Sequence, residues 1–513
     1  MKKIISLFLA AALTASMAGC GGSGSKGEGQ TGAAGEAASQ AGKDSIAIAT
    51  DVDIDTLHPS DFSTTIEHTI LTQLYDPLMY MNPDGAHEPE PRIAESCTIS
   101  DDGKDYTFKL RDDVTFHDGS AVTAEDVKFS LELYMESEYQ GSQVAGLESV
   151  EAPDETTVIC HLDNPYSPFL LGVCQVPIAS KAYYEKSEND FAGQPVGSGP
   201  YKYAGREKGS KITLEAYDGY YRGEAAIKNV TFEVIPDQST TAIALKTGEV
   251  DFAMAESSTM AQIQGDESLA VEEIGTSGFS YVTMNLEKEP FNSELVRKAI
   301  NYAINRENIV AVCYDNEAEI NSNICSKERF GYSDDQFQYT YDQEKAKELL
   351  KEAGVTTPLN LGSILVAEKY SNLATVIQSD LSAVGLETTI EVKEFNAYID
   401  DLTSGNYDIT ALEMTLDGDT QQLEMAFCSD FIGTANNARY SNADMDKLFA
   451  QAKAETDNDA RASIFNQILT KAQDEAIYAV ICNPMTLYVH NTSLDCQEIP
   501  FEGIYSIYNF SWK

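Results

Sequence analysis

The chain has 513 residues, with 82 acidic against 35 basic side chains and a formal charge of −47 at pH 7. A surface so negative repels phosphate backbones and excludes a nucleic-acid-binding role. About 470 residues follow the N-terminal segment, more than one hydrophobic core holds, so two or three lobes are expected.

At the N-terminus, Lys2 and Lys3 precede the apolar run Ile4–Leu13, which is too short to span a bilayer as a mature helix. Met17-Ala18-Gly19-Cys20 resembles a lipobox, with Met17 where Leu is preferred. That resemblance implies a signal peptide over 1–19 and a lipidated Cys20 that anchors the chain to the membrane without spanning it. Residues 20–44, rich in Gly, Ser and Ala, bury too little to fold and read as a flexible tether. No later apolar run approaches the length of a membrane span.

Along the folded part, SIAIAT (45–50) alternates like a strand, and 64–75 has helical spacing with Ile66, Ile70 and Leu74 on one side. A proline-rich turn follows. Residues 96–131 (SCTISDDGKDYTFKLRDDVTFHDGSAVTAEDVKFSL) carry a DGK turn and a strand placing Tyr106, Phe108 and Leu110 on one face. The stretch then runs through FHDG to a T-x-E-D helix start. PVGSGPY (195–201) reads as a tight turn whose glycines meet special backbone angles. It lacks both the Walker lysine and G-x-G-x-x-G of a phosphate loop. Residues 293–302 form an amphipathic helix with Leu295, Val296, Ala299 and Ile300 inward. Helix 372–384 stops at Gly385, and strand 386–392 follows, the alternation of an α/β lobe.

Eight cysteines besides Cys20 include three pairs close in sequence: Cys160/Cys174, Cys313/Cys325 and Cys482/Cys496. Disulfides and buried thiols both remain open. There is no C-x-x-C and the six histidines are scattered, so no metal or other cofactor is expected. Neither a G-x-S-x-G elbow nor H-E-x-x-H is present, which makes an extracellular hydrolase the least favoured class.

In order and spacing, residues 96–131, PVGSGPY, KITLEAYDGYYRGEAAIKNVTFEVIPDQSTTAIALKTGEVDFA (211–253) and YVTMNLEKEPFNSELVRKAINYAINRENIV (281–310) resemble the bacterial extracellular solute-binding proteins of family 5, the peptide/nickel class. The resemblance runs from about residue 45 to the C-terminus. It implies an α/β periplasmic-binding-protein-like fold of two lobes joined by a two-strand hinge. Lobe I would comprise 45–75, 196–282 and 488–513, a subdomain would insert at 76–195, and lobe II would be 283–487. The hinge strands would lie near Tyr281–Asn285 and Leu487–His490.

Family position also implies the ligand site. An Asp of a W-x-x-D segment receives a peptide's α-amino group, and Asp417 falls there, with Met414 in place of Trp and Asp419 close by. The same DGD run is also good turn chemistry. Lys369 stands near the place of an Arg for a peptide carboxylate, and Thr64, Ser280, Tyr281 and Asn285 are set near the cleft. The function implied is a monomeric, lipid-anchored, extracytoplasmic receptor that binds a peptide between its lobes and hands it to an ABC permease, with no catalysis. A chelated metal, sugar or amine as ligand, or a sensor role without transport, are the alternatives.

Overall fold

A computed structural model describes residues 43–513 apart from 82–88, 187–191, 277, 328, 417–418, 497–498 and 500–502. Cys20 and most of the expected tether therefore lie outside the described residues, as does Asp417. No helix among the described residues is long and apolar enough to cross a membrane.

A twelve-stranded sheet is organised around the long strand Tyr478–Asn491. The first half of that strand pairs antiparallel with Phe279–Met284, Thr283 facing Tyr478 and Ser280 facing Cys482. Its second half pairs with Phe252–Ala255 and with Leu269–Gly275, Phe252 facing His490 and Gly275 facing Met485. Beyond Phe279–Met284 lie Ile409–Met414, Leu359–Ala367 and Leu386–Lys393. Beyond Phe252–Ala255 lie Ser45–Thr50, Asn229–Val234, Lys211–Ala216 and Tyr201–Glu207.

One strand thus serves both halves of the sheet. Thr276 and Gly278 lie between Leu269–Gly275 and Phe279–Met284, and the long strand passes from one half to the other at Asn483 and Pro484. They are tied together: Asn483 Nδ2 donates to the Gly278 carbonyl at 2.8 Å, and Thr276 Oγ1 donates to the Pro484 carbonyl at 2.7 Å.

Each half has its own core. One gathers Tyr281, Ile300, Ile364, Ile377, Phe449 and Tyr478. The other is continuous from Ile46 and Phe232 through Tyr106, Phe108 and Phe169 to Phe510, so the segment expected as an inserted subdomain shares its core with strands Ser45–Thr50 and Asn229–Val234. The insert is built on a four-stranded antiparallel sheet ordered Ala94–Ile99, Asp105–Leu110, Thr157–Leu162 and Leu147–Asp154. Tyr106, Phe108 and Leu110 are buried on one face, as their alternation requires. Helix Ala124–Glu136 starts where T-x-E-D predicts. The Asp126 carboxylate accepts from Thr123 N and Oγ1 at 2.9 and 2.7 Å, and its other oxygen accepts from Lys181 N.

The FHDG and PVGSGPY segments, about 80 residues apart in the chain, are in contact. His117 of FHDG places Nε2 3.0 Å from the Gly199 carbonyl, while its Nδ1 accepts from Gly197 N at 3.2 Å. That arrangement needs the neutral ring, with the proton on Nε2. Burial, opposed by the Gly199 carbonyl, pushes its pKa down to about 4. The glycines of PVGSGPY have a different reason from the one expected. Neither Gly197 nor Gly199 has a left-handed φ. A Cβ on Gly197 would instead sit 1.9 Å from the Leu74 carbonyl oxygen, and one on Gly199 would sit 2.7 Å from that of Gln73. Close backbone approach to the end of a helix is what excludes a side chain.

In lobe II, helix Glu294–Ala303 buries Val296, Ala299 and Ile300. Helix Ser371–Ala383 ends before Gly385, whose φ of +83° suits only glycine well. All eight cysteines from Cys97 to Cys496 are free thiols, so none of the pairs near in sequence is bridged.

Candidate functional site

A cavity of about 400 Å³ opens where the two halves of the sheet meet. Most of its wall comes from lobe I. Ala49, Thr50, Asp51 and Val52 leave the end of the first strand. Thr64, Thr65 and Thr69 come from the first turns of helix Thr65–Leu74, and Gln238 and Thr241 from the start of helix Gln238–Thr247. Thr276 and Thr486 lie at the two passages between halves, and Thr415 enters from lobe II just past strand Ile409–Met414. Met254, Ile274, Tyr488 and Tyr505 supply apolar surface. The eight threonines line the cavity with uncharged hydroxyls; those of Thr50, Thr69, Thr241 and Thr276 spend their proton on backbone carbonyls and keep acceptor lone pairs, while Thr65, Thr415 and Thr486 can both donate and accept. Among the described residues, Asp51 is the one charged side chain on it.

Glu67 sets the shape of this wall. Buried at 1 % exposure, it accepts through one oxygen from Asp55 N (2.8 Å) and Thr56 N (3.1 Å), and through the other from Ser63 N (2.9 Å) and Thr64 N (3.1 Å). Thr64 Oγ1 accepts from Glu67 N in return, closing a capping box. Burial acts to raise the Glu67 pKa, but the backbone donors Ser63, Asp55 and Thr56 outweigh it and hold the carboxyl below its ordinary range. One carboxylate thereby fixes the loop from Asp51 to Thr64 that carries Asp51, Val52 and Thr64 into the cavity.

Of the residues expected at the ligand, the structure puts Thr64 on the cavity wall. Asp417 lies outside the described residues, although Thr415, two residues before it, is on the wall. Asp419 is engaged elsewhere. It is buried between lobe II and the inserted segment, where its carboxylate accepts from Arg461 Nη1 at 2.8 Å and from Nη2, and caps Gln421 N. Arg461 in turn lies over the Phe330 and Phe465 rings. Asn285 gives its amide to the Gly405 and Tyr407 carbonyls. Ser280 Oγ accepts from Tyr314 OH at 2.7 Å. Tyr281 is fully buried against Tyr478, ring centroids 4.3 Å apart. Met414 is partly buried against the lobe II core, and the Lys369 ammonium sits 4.5 Å from the Tyr370 ring centroid.

Sequence reasoning missed Asp51, Thr65, Thr415 and Thr486. Threonines at strand and helix ends are common turn and cap residues, so nothing in their local pattern marks them. A usable signal was that Asp51 directly follows the first strand, at the end where ligands gather in open α/β sheets.

The comparisons agree with this architecture. Over 438 residues the chain is 27% identical to the dipeptide-binding protein of Escherichia coli, covering 78% of this chain and 82% of that one. It is 28% identical over 422 residues to the oligopeptide-binding protein AppA of Bacillus subtilis, covering 76% and 78%. The solved structure of HbpA2 from Haemophilus parasuis superposes with a TM-score of 0.85 at 24% identity, covering 91% of this chain and all of that one. Residues 88–430 match the family described as "Bacterial extracellular solute-binding proteins, family 5 Middle", and the chain belongs to that family of extracellular solute-binding proteins.

Proposed function

We propose that this protein is the lipid-anchored extracytoplasmic receptor of an ABC importer, binding a peptide in the threonine-walled cavity and delivering it to the permease. The observation that carries the reading is the wall itself. A peptide's main chain presents alternating donors and acceptors, and hydroxyls can meet both without selecting side chains. The cavity volume of about 400 Å³ lies within the usual range of small-ligand pockets, roughly 300–1,000 Å³. The peptide ligands named for the Escherichia coli and Bacillus subtilis relatives support the same class. The peptide's α-amino group is received by a carboxylate, either Asp417, on the family's position, or Asp51, on the described wall. No cation lines the wall among the described residues, so the peptide's carboxylate has no fixed charged partner there. Cys20 carries the lipid.

Mass spectrometry of small molecules released from purified protein tests the ligand class. Recovery of peptides is expected; recovery of a sugar or a metal chelate as the sole ligand refutes it. For the amine anchor, Asp51→Asn and Asp417→Asn are each compared on a bound peptide and its N-acetylated form. One variant is expected to lose affinity about tenfold or more for the free amine and little for the acetylated peptide. Equal losses on both forms in both variants reject a carboxylate anchor.

A further inference from the structure

Outside the cavity, a second group of side chains converges on the lobe I face of the sheet. In the pairing of Leu269–Gly275 with Tyr478–Asn491, Ala270 faces His490 and Glu272 faces Tyr488. Side chains two apart on a strand share a face, so Glu272 and His490 are diagonal neighbours on one side. His490 is buried, and its Nε2 lies 3.3 Å from Glu272 Oε1. Cys496, past the short strand Leu494–Asp495, brings its thiol to the same place. One ligand atom from each of the three lies within 4.8 Å of the others.

The hydrogen bonding of the imidazole is informative. His490 Nδ1 is 2.9 Å from the Asn491 carbonyl oxygen, which can only accept, so Nδ1 carries a proton. A ring protonated at Nε2 as well would pair directly with Glu272; with Nε2 unprotonated, its lone pair and the carboxylate oxygen face each other at 3.3 Å, a geometry that a cation between them satisfies. A ring nitrogen held by a backbone carbonyl while the other points at a charged centre is the usual support of a metal-ligating histidine.

We propose that Glu272, His490 and Cys496 form a binding site for a borderline-soft divalent cation of the zinc type, separate from the solute cavity. The chemistry of the set selects the cation: thiolate, imidazole and carboxylate together favour zinc over calcium or magnesium, which take oxygen. The geometry agrees. With metal–oxygen and metal–nitrogen bonds of about 2.0–2.1 Å, tetrahedral ligands stand about 3.3 Å apart, the spacing found between Glu272 and His490. A metal–sulfur bond of about 2.3 Å asks for about 3.5 Å to the thiol, a closure of up to about 1.3 Å from the outer limit of 4.8 Å. Water takes the fourth position. Binding replaces the thiol proton with a metal–sulfur bond and releases that proton to solvent.

Cobalt(II) titration of the chelator-stripped full chain tests the site. One equivalent is expected to raise a thiolate-to-cobalt charge-transfer band in the near ultraviolet, displaced by zinc. The band should vanish in Cys496→Ser, and zinc affinity, read by competition with a chromophoric chelator, should fall about tenfold or more in Glu272→Gln. Glu272 is half exposed, so that variant probes the ligand without opening the core. No band at one equivalent, or a band undiminished in Cys496→Ser, overturns the proposal. An unchanged zinc affinity in Glu272→Gln does so as well.

Discussion

Replacing Glu67 with Gln isolates the group that shapes the cavity wall. The side chains are nearly isosteric, but the amide keeps one acceptor oxygen and turns an NH₂ toward two backbone N–H groups. Either Asp55 and Thr56 or Ser63 and Thr64 lose their acceptor. These donors sit on exposed or half-buried residues, so losing the acceptor costs the lower part of the ~1–3 kcal/mol range for each, and the change should destabilise the protein by about 2 kcal/mol. The wild-type carboxyl has its folded pKa depressed, so its contribution is present above the unfolded value and is lost as pH falls through the lower, folded one. Urea unfolding followed by circular dichroism at pH 7 and at pH 4 measures both effects. The gap between wild type and variant should be full at pH 7 and smaller at the lower pH. Because Thr64 and Asp51 sit on the loop that Glu67 holds, solute affinity should weaken too. A variant within about 0.5 kcal/mol of wild type at pH 7 would refute the reasoning, since it would mean that the loop needs no buried acceptor.

Two further outcomes follow from other buried charges. Arg461→Ala leaves Asp419 buried without its cation and should cost about 3–5 kcal/mol, whereas Arg461→Ala combined with Asp419→Ala should cost less than the single change; equal losses in urea unfolding would show that the pair is not the cause. His117 stays neutral in the fold while an unfolded histidine takes a proton near pH 6.5, so stability should fall as pH drops from 6.5 toward 4, by up to about 3 kcal/mol, and change no further below that. His117→Gln should flatten that slope between pH 6.5 and 5, above most carboxylate titrations. An unchanged slope would mean that His117 is not the titrating group.

The fold was legible because its information is local. Strand Ser45–Thr50, the capping box at Thr123 and Asp126, and the stop at Gly385 each rest on residues a few positions apart. The site was less legible because its parts are far apart in the chain. Asp419 looks like a ligand acid from its place after a strand, yet its partner Arg461 stands 42 residues on, out of reach of any spacing rule. The cavity threonines come from segments spread between Thr50 and Thr486, each unremarkable by itself. Gly197 shows a subtler gap. A glycine is visible in sequence, but whether it serves a backbone angle or a close contact depends on what the fold brings against it, here the Leu74 carbonyl.

The way lobe I is closed bears on the order in which it can form. Gln73, fully buried, donates to the Tyr505 carbonyl and accepts from Ile507 N, and Trp512 Nε1 donates to the carbonyl of Ser45, the first residue of the first strand. Tyr505, Ile507 and Phe510 complete the core that Ile46 begins. A nascent chain that has not yet delivered residues 505–512 therefore lacks the groups that satisfy Gln73 and cover that core. Lobe II, whose core draws on 279–482, can condense first. The core that Ile46 begins is therefore complete only once residues 505–512 are in place, although its first strand lies near the other end of the chain.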